Sequence, residues 1–259
     1  MKVLAIMGSP RKKGDSYKAT KLLEEKMQTL GEVEFEYLFL RDMSLGDCMG
    51  CHLCIEKGEE KCPLKDDRDM IIENMEKADG IILVSSIYSL HVTALMKNFI
   101  DHLSFLWHRP RLIGKKVMVL SAGGGVFKQP LGYLETAANF WGCHFVHKLG
   151  VPRIEALKPK YREKVMKDIE KAADVFYKAV KENKNPVPTL GALIRFNMWK
   201  SNAIACKEVL PRDYPYWKEK GWIDSEYFYE TKISLPKKLA LKIIGFIGGI
   251  YMGRMYEGY

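Results

Sequence analysis

Apolar residues in the first two thirds of the chain recur in two alternating patterns. Val3 to Met7 is a short apolar run stopped by Gly8, and Ala19, Leu22, Leu23, Met27 and Leu30 then return at the spacing of one helix face between Tyr17 and Leu30. The pair reads as strand, polar loop, helix. Val33, Phe35, Tyr37 and Phe39 alternate with Glu34, Glu36, Leu38 and Leu40, which predicts a second strand with one more apolar face. Met70, Ile71, Met75 and Ala78 predict a helix over Asp66–Ala78, its acidic first turn placed where the helix dipole favours negative charge. Gly80 to Val84 has no polar face at all, the pattern of a strand buried on both sides of a parallel sheet. The same reading predicts a helix over 93–106, a strand over 116–120, a helix over 131–140, a strand over 143–147 and a long helix over 159–184.

Strands that alternate with helices in this way predict an α/β fold with right-handed crossovers and a doubly wound, open parallel sheet of five strands. The ligand site of such a sheet lies outside the carboxyl ends of its strands, so loops 8–17, 85–93 and 121–129 should converge on one edge. After Glu182 the pattern stops at Asn185-Pro186-Val187-Pro188, a linker. The expected division is therefore 1–184, with a cysteine-rich loop at 48–62, and 185–259, a mostly helical or irregular extension. Tyr214, Tyr216, Trp217, Trp222, Tyr227, Phe228 and Tyr229 make the extension costly to leave in water, so it should pack on the first domain or on a neighbouring subunit.

Hydrophobic residues at 47% and charged residues at 28% are the balance of a globular protein and exclude disorder. A net charge of +9 suits nucleic acid, an anionic membrane surface or a phosphate-bearing cofactor. Without a run of six like charges or a zinc-finger, RNP or GXXG signature, nucleic acid is not expected as a partner. The apolar stretch at Met1–Met7 is too short for a signal-peptide core, which predicts a cytoplasmic location and reduced thiols. Six cysteines, four of them clustered, then favour a metal or cluster site over disulfides, with Cys143 and Cys206 read as small buried hydrophobes.

Gly8-Ser9-Pro10-Arg11-Lys12-Lys13-Gly14-Asp15-Ser16 lies between the first strand and the first helix, where backbone N–H groups and the helix dipole favour an anion. Ser9 and Ser16 add hydroxyl donors, and Arg11 adds a cation. Asp15 stands where a Walker loop needs its lysine, and the glycines do not make a dinucleotide fingerprint, so a monophosphate such as that of FMN fits better. Cys48-x2-Cys51-x2-Cys54-x7-Cys62-Pro63 puts four thiols in one loop at a spacing suited to a [4Fe-4S] cluster. Zinc is the rival ion, and a loop without metal is the third reading.

Together these segments resemble the NAD(P)H-dependent FMN reductase superfamily of flavodoxin-like proteins, and its iron-sulfur flavoprotein branch in particular. The resemblance rests on the GSPRxxGxS loop, on Ser86-Ile87-Tyr88-Ser89-Leu90, on Ala122-Gly123-Gly124-Gly125 and on Leu95 to Asp101, and it spans roughly residues 1 to 180. It implies a sheet ordered 2-1-3-4-5 and FMN held by Ser9, Arg11, Gly14, Asp15, Ser16 and Tyr17, by Ser86, Ile87, Tyr88 and Ser89, and by Ala122, Gly123, Gly124 and Gly125. It further implies Cys48, Cys51, Cys54 and Cys62 as cluster ligands, electron relay across a subunit interface in a homo-oligomer, and NAD(P)H or ferredoxin as donor. Ser86, Ser89 and Leu90 depart from the family's proline, large aromatic and glycine. An FMN-dependent oxidoreductase is the leading expectation, a flavin electron carrier or redox sensor without small-substrate turnover is the alternative, and a zinc-stabilised binding protein is the remote one.

Lys232, Lys237, Lys238, Lys242 and Arg254 make the chain's end basic, and the uncharged run Ile243–Gly253 is shorter than the about 20 residues a spanning helix needs. Contact with an anionic membrane surface is the remaining membrane reading. Gly245, Gly249 and Gly253 would line one helix face.

Overall fold

Apolar strands such as Val3–Met7 and Ile81–Val84 are wholly buried because they occupy the centre of a five-stranded parallel sheet. The computed structural model describes residues 1–244, so the glycine register at 245, 249 and 253 and most of the run 243–253 lie outside the described residues. The strands are β1 Lys2–Met7, β2 Glu34–Phe39, β3 Gly80–Ser86, β4 Lys116–Gly123 and β5 His144–Pro152, in the order β2-β1-β3-β4-β5. The helices of this unit are α1 Asp15–Gln28, α2 Leu53–Glu56, α3 Arg68–Lys77, α4 Ala94–His102, α5 Phe105–His108, α6 Lys128–Phe140 and α7 Pro159–Glu182. One apolar layer covers each face of the sheet. Ala19, Leu23, Met27, Ala173 and Phe176 of α1 and α7 pack on one side, and Ile71, Met75, Met96, Phe99, Leu134 and Trp141 pack on the other.

The expected elements are present, with displaced ends. Ser85, Ser86, Ser121, Ala122 and Gly123 belong to strands because β3 and β4 stay in register from Gly80↔Lys116 to Ser86↔Ala122. Their polar side chains are satisfied locally: Ser121 Oγ donates to Ser85 O at 3.1 Å, and Ser85 Oγ to Ser86 O at 2.9 Å. The helix expected over 93–106 breaks after His102 and resumes as α5. Leu30 and Met70 are exposed. Leu30 falls beyond the end of α1, and Ile71, Ile72 and Met75 supply the inner face of α3.

The fold divides into Met1–Asn185 and a second unit that begins at Pro186. The second unit holds α8 Leu190–Ala205 and α9 Asp213–Glu219, followed by turns. Its rings pack on one another: Phe228 meets Phe196 edge-on at 4.8 Å and Trp222 at 4.7 Å, and Trp217 lies 5.4 Å from Trp222. Tyr229 Oη closes this cluster by donating to Pro186 O at 2.8 Å. Cys143 is buried, as expected, and burial pushes its thiol far above the ordinary value. Cys206 is instead half-buried at the end of α8, where its thiol donates to Asn202 Oδ1 at 3.1 Å.

Candidate functional site

The chain leaves β1 at Gly8, whose N–H donates to Val84 O at 2.8 Å. A side chain here is excluded, since a Cβ would stand 2.8 Å from Met96 Cβ and 3.2 Å from Val84 O. Ser9 is buried, with its Oγ 3.2 Å from both the N–H and the carbonyl of Arg11, which folds the loop into a tight turn. Gly14 is the N-terminal cap of α1, and Asp15, Ser16 and Tyr17 form its first turn. The free N–H groups of that turn face the same edge of the sheet as the loop, a natural seat for an anion.

Three loop ends are tied together at this edge. Ser16 and Ser86, both buried, share a hydroxyl hydrogen bond of 2.6 Å, which joins α1 to the end of β3. Ile87 N–H donates to Ala122 O at 3.2 Å, which joins the β3 loop to β4. Thr93 Oγ1 donates to Gly8 O while accepting from Met96 N–H, so the cap of α4 also clamps the end of β1. Of the predicted residues, Ser16, Ser86, Ile87 and Ala122 are thus tied together at the carboxyl ends of β1, β3 and β4. This is where the strand order reverses and where open α/β sheets bind ligands.

The Tyr17 ring packs against Tyr37 at 5.5 Å and Phe39 at 6.1 Å, on the β2 side.

The loop after β3 is strained. Tyr88 and His91 exchange backbone hydrogen bonds of 3.0 and 2.9 Å around Ser89 and Leu90, whose φ values are +46° and +66°. Both central residues of this two-residue turn adopt the left-handed conformation that favours glycine or asparagine. Tyr88 and Leu90 stand exposed, and the His91 ring rests 4.8 Å from that of Tyr133. At the end of β4, Gly123 has φ +125°, and beyond it side chains at Gly124 and Gly125 would meet nothing of the protein within 4 Å.

The four cysteines of the loop between β2 and α3 line one cleft of about 260 Å³, together with Arg68, Asp101 and His102. Cys48 and Cys51 are exposed, Cys54 and Cys62 half-buried. Burial raises the Cys54 thiol above its ordinary value, with the Cys62 thiol adding to this and the Arg68 guanidinium opposing it. Among the described residues, no three Cys, His, Asp or Glu side chains stand close enough to share a metal ion. His52 adopts φ +60° at the start of α2.

Several residues that hold the site escaped the sequence reading. Asn98 accepts Cys48 N–H at 2.9 Å and donates to Gly46 O at 2.8 Å, and buried His102 Nε2 lies 2.7 Å from the same carbonyl. Arg109, also buried, donates to Ile55 O at 3.1 Å, to Cys54 O and to Glu59 Oε2 at 3.2 Å. Arg68 donates to Glu59 O at 2.9 Å. Two buried guanidinium groups thus fasten the stretch between Cys54 and Cys62. Arg41 Nη1 donates to Pro10 O at 2.6 Å and braces the first loop. Only Thr93 carried a local signal, a threonine directly before an apolar helical run.

The family of NADPH-dependent FMN reductases matches residues 1–146. An iron-sulfur flavoprotein of Archaeoglobus fulgidus is 32% identical over 231 residues, which cover 86% of this chain and 100% of that protein. An iron-sulfur flavoprotein of Methanocaldococcus jannaschii is 41% identical over 116 residues, 44% of this chain and 55% of that protein. Among solved structures, the flavoenzyme NAD(P)H:(acceptor) oxidoreductase of Paracoccus denitrificans superposes with a TM-score of 0.51 at 20% identity, covering 70% of this chain and 98% of that one. The last comparison shows the shared flavodoxin-like fold. With the three loops gathered at the β1/β3 edge and a full-length relative at this identity, the chain belongs to the NADPH-dependent FMN reductase family, among its iron-sulfur flavoproteins.

Proposed function

We propose that this FMN-dependent oxidoreductase accepts electrons from NAD(P)H with FMN held at the β1/β3 edge, and that its cysteine loop would hold a cluster able to supply a one-electron relay. The observation that carries the reading is the hydrogen-bonded convergence of the loops after β1, β3 and β4, from Ser16 to Ser86 and from Ile87 to Ala122. When bound, FMN supplies a centre that handles both two-electron and one-electron transfer.

The protein's part is binding and orientation. Ser9, Gly14, Asp15 and Ser16 present hydroxyl and backbone donors of the first loop and helix turn to the phosphate, and Arg11 adds positive charge at its rim. Tyr17 lines the β2 side of this turn. Ser86, Ile87, Tyr88 and Ser89 flank one edge of the ring, with Tyr88 as its aromatic wall. Ala122, Gly123, Gly124 and Gly125 bring backbone N–H groups to its polar edge, and this explains glycines that the protein's own packing does not require. No dinucleotide fingerprint occurs in the chain, so the nicotinamide nucleotide binds transiently over the flavin.

Cys48, Cys51, Cys54 and Cys62 fit a [4Fe-4S] cluster by donor type and by lining one cleft. Such a cluster supplies a one-electron relay. Metal binding is coupled to the folding of its ligand loop, so assembly of a cluster would bring the four thiols together.

Anaerobic mixing with NADPH or NADH tests the donor, and iron and sulfide assays test the thiols. The reading predicts bleaching of flavin absorbance by at least one nucleotide, and about four iron and four sulfide per chain. Bleaching by reduced ferredoxin alone would make the protein a carrier rather than a nucleotide-dependent reductase. Zinc in place of iron would overturn the relay.

A further inference from the structure

The chain is helical over 235–244, and this helix is turned inside out. At about 100° per residue, Leu235, Leu239, Ile243 and Ile244 fall on one half of the helix and Lys237, Lys238 and Lys242 on the other. A surface helix normally buries its aliphatic half. Here that half is outward: Leu235 is 79% exposed, Leu239 59%, Ile243 51% and Ile244 39%. The opposite side turns toward its own unit, where Lys237 Nζ donates to Pro188 O at 2.6 Å, Lys238 pairs with Glu226 and Leu241 is half-buried.

Lys242, at the border of the aliphatic half, and Lys232, three residues before the helix, remain exposed. Their charge selects the occupant. A second copy of the chain would bring like charges together, in an interface type from which lysine is depleted. An anionic lipid leaflet accepts both features, since aliphatic side chains enter the acyl boundary while lysine stems reach up to the phosphates. No helix among the described residues is long and apolar enough to cross a membrane.

We propose that the 235–244 helix docks in the plane of an anionic phospholipid surface, with Leu235, Leu239, Ile243 and Ile244 entering the acyl boundary and Lys232 and Lys242 meeting lipid phosphates. It rests on the second unit alone and is independent of the flavin reading.

Flotation of the full-length, flavin-containing protein tests it, with phosphatidylcholine vesicles and with vesicles that also contain phosphatidylserine. The protein floats with the anionic vesicles, and less so as salt is raised. Because each lysine near such a surface raises partitioning about fivefold, K232A/K242A weakens it about 25-fold. L239E/I243E abolishes it while flavin absorbance is retained. Wild-type protein that stays at the bottom of the gradient, or that floats equally with neutral vesicles, overturns the proposal. So does flotation unaffected by L239E/I243E, or a lipid-free dimer that this variant splits into monomers. If L239E/I243E does not fold, the response to K232A/K242A alone decides.

Discussion

Three positions at the carboxyl ends of β1 and β3 expose how single residues set the site. At Gly8 the space for even a methyl group is taken by Met96 and by the carbonyl of Val84, both belonging to the packed core. Gly8→Ala should therefore displace the first loop, costing about 1–3 kcal/mol by overpacking and lowering FMN retention at least tenfold, as read by flavin absorbance after gel filtration. At Leu90 the strain lies in the backbone, because φ +66° costs an L-residue about 1–2 kcal/mol. Leu90→Gly relieves this while adding unfolded-state entropy, so a net stabilisation of about 0.5–1 kcal/mol is expected in urea denaturation. An unchanged or lowered midpoint would show that the turn is held by contacts Leu90 makes. Ser86→Ala leaves buried Ser16 without its hydroxyl partner and should cost about 1–3 kcal/mol.

Elements were legible where their patterns are local. The apolar runs at Val3–Met7 and Gly80–Val84 and the helical spacing of Ala19, Leu23 and Met27 declared strands and helices directly, and their alternation implied the doubly wound sheet. Strand ends were less legible. Ser85, Ser86 and Ser121 look like loop residues, yet the β3–β4 ladder carries them, with Ser121 Oγ bonded across it to Ser85 O, Ser85 Oγ to Ser86 O and Ser86 Oγ to Ser16 of α1. The supports of the cysteine loop were invisible, because Asn98, His102 and Arg109 lie some fifty residues from the backbone groups they hold. Arg109→Met should free the stretch from Cys54 to Cys62 and, on the proposed cluster reading, weaken iron retention about 10- to 100-fold, leaving FMN content unchanged. Equal loss of flavin would show a general fold defect instead.

The edge strand β5 brings a pH dependence of its own. Burial lowers the pKa of His144, with Lys116 adding to the effect, and burial with Lys171 does the same for His147. Both imidazoles thus take up protons more readily in the unfolded chain, so stability is full above the ordinary histidine pKa near 6.5 and declines as pH falls below it. Denaturation midpoints measured from about pH 7 down to about pH 5 should fall, and H144N/H147N should flatten that decline.

At the scale of the whole molecule, chemistry and anchoring fall to different units. The sheet of residues 1–185 carries the three loops and the cysteines, and the unit from Pro186 carries its own aromatic cluster and the outward aliphatic helix. Trp217→Ala should cost the second unit about 3–5 kcal/mol, seen as a lower-temperature transition in calorimetry, while flavin content holds. The account as a whole turns on what lies between the ends of β1, β3 and β4. Flavin quantified in the purified, folded chain tests this most directly: one FMN per chain, present on isolation or taken up on titration, is the predicted result, and a folded chain that neither contains nor binds FMN contradicts it.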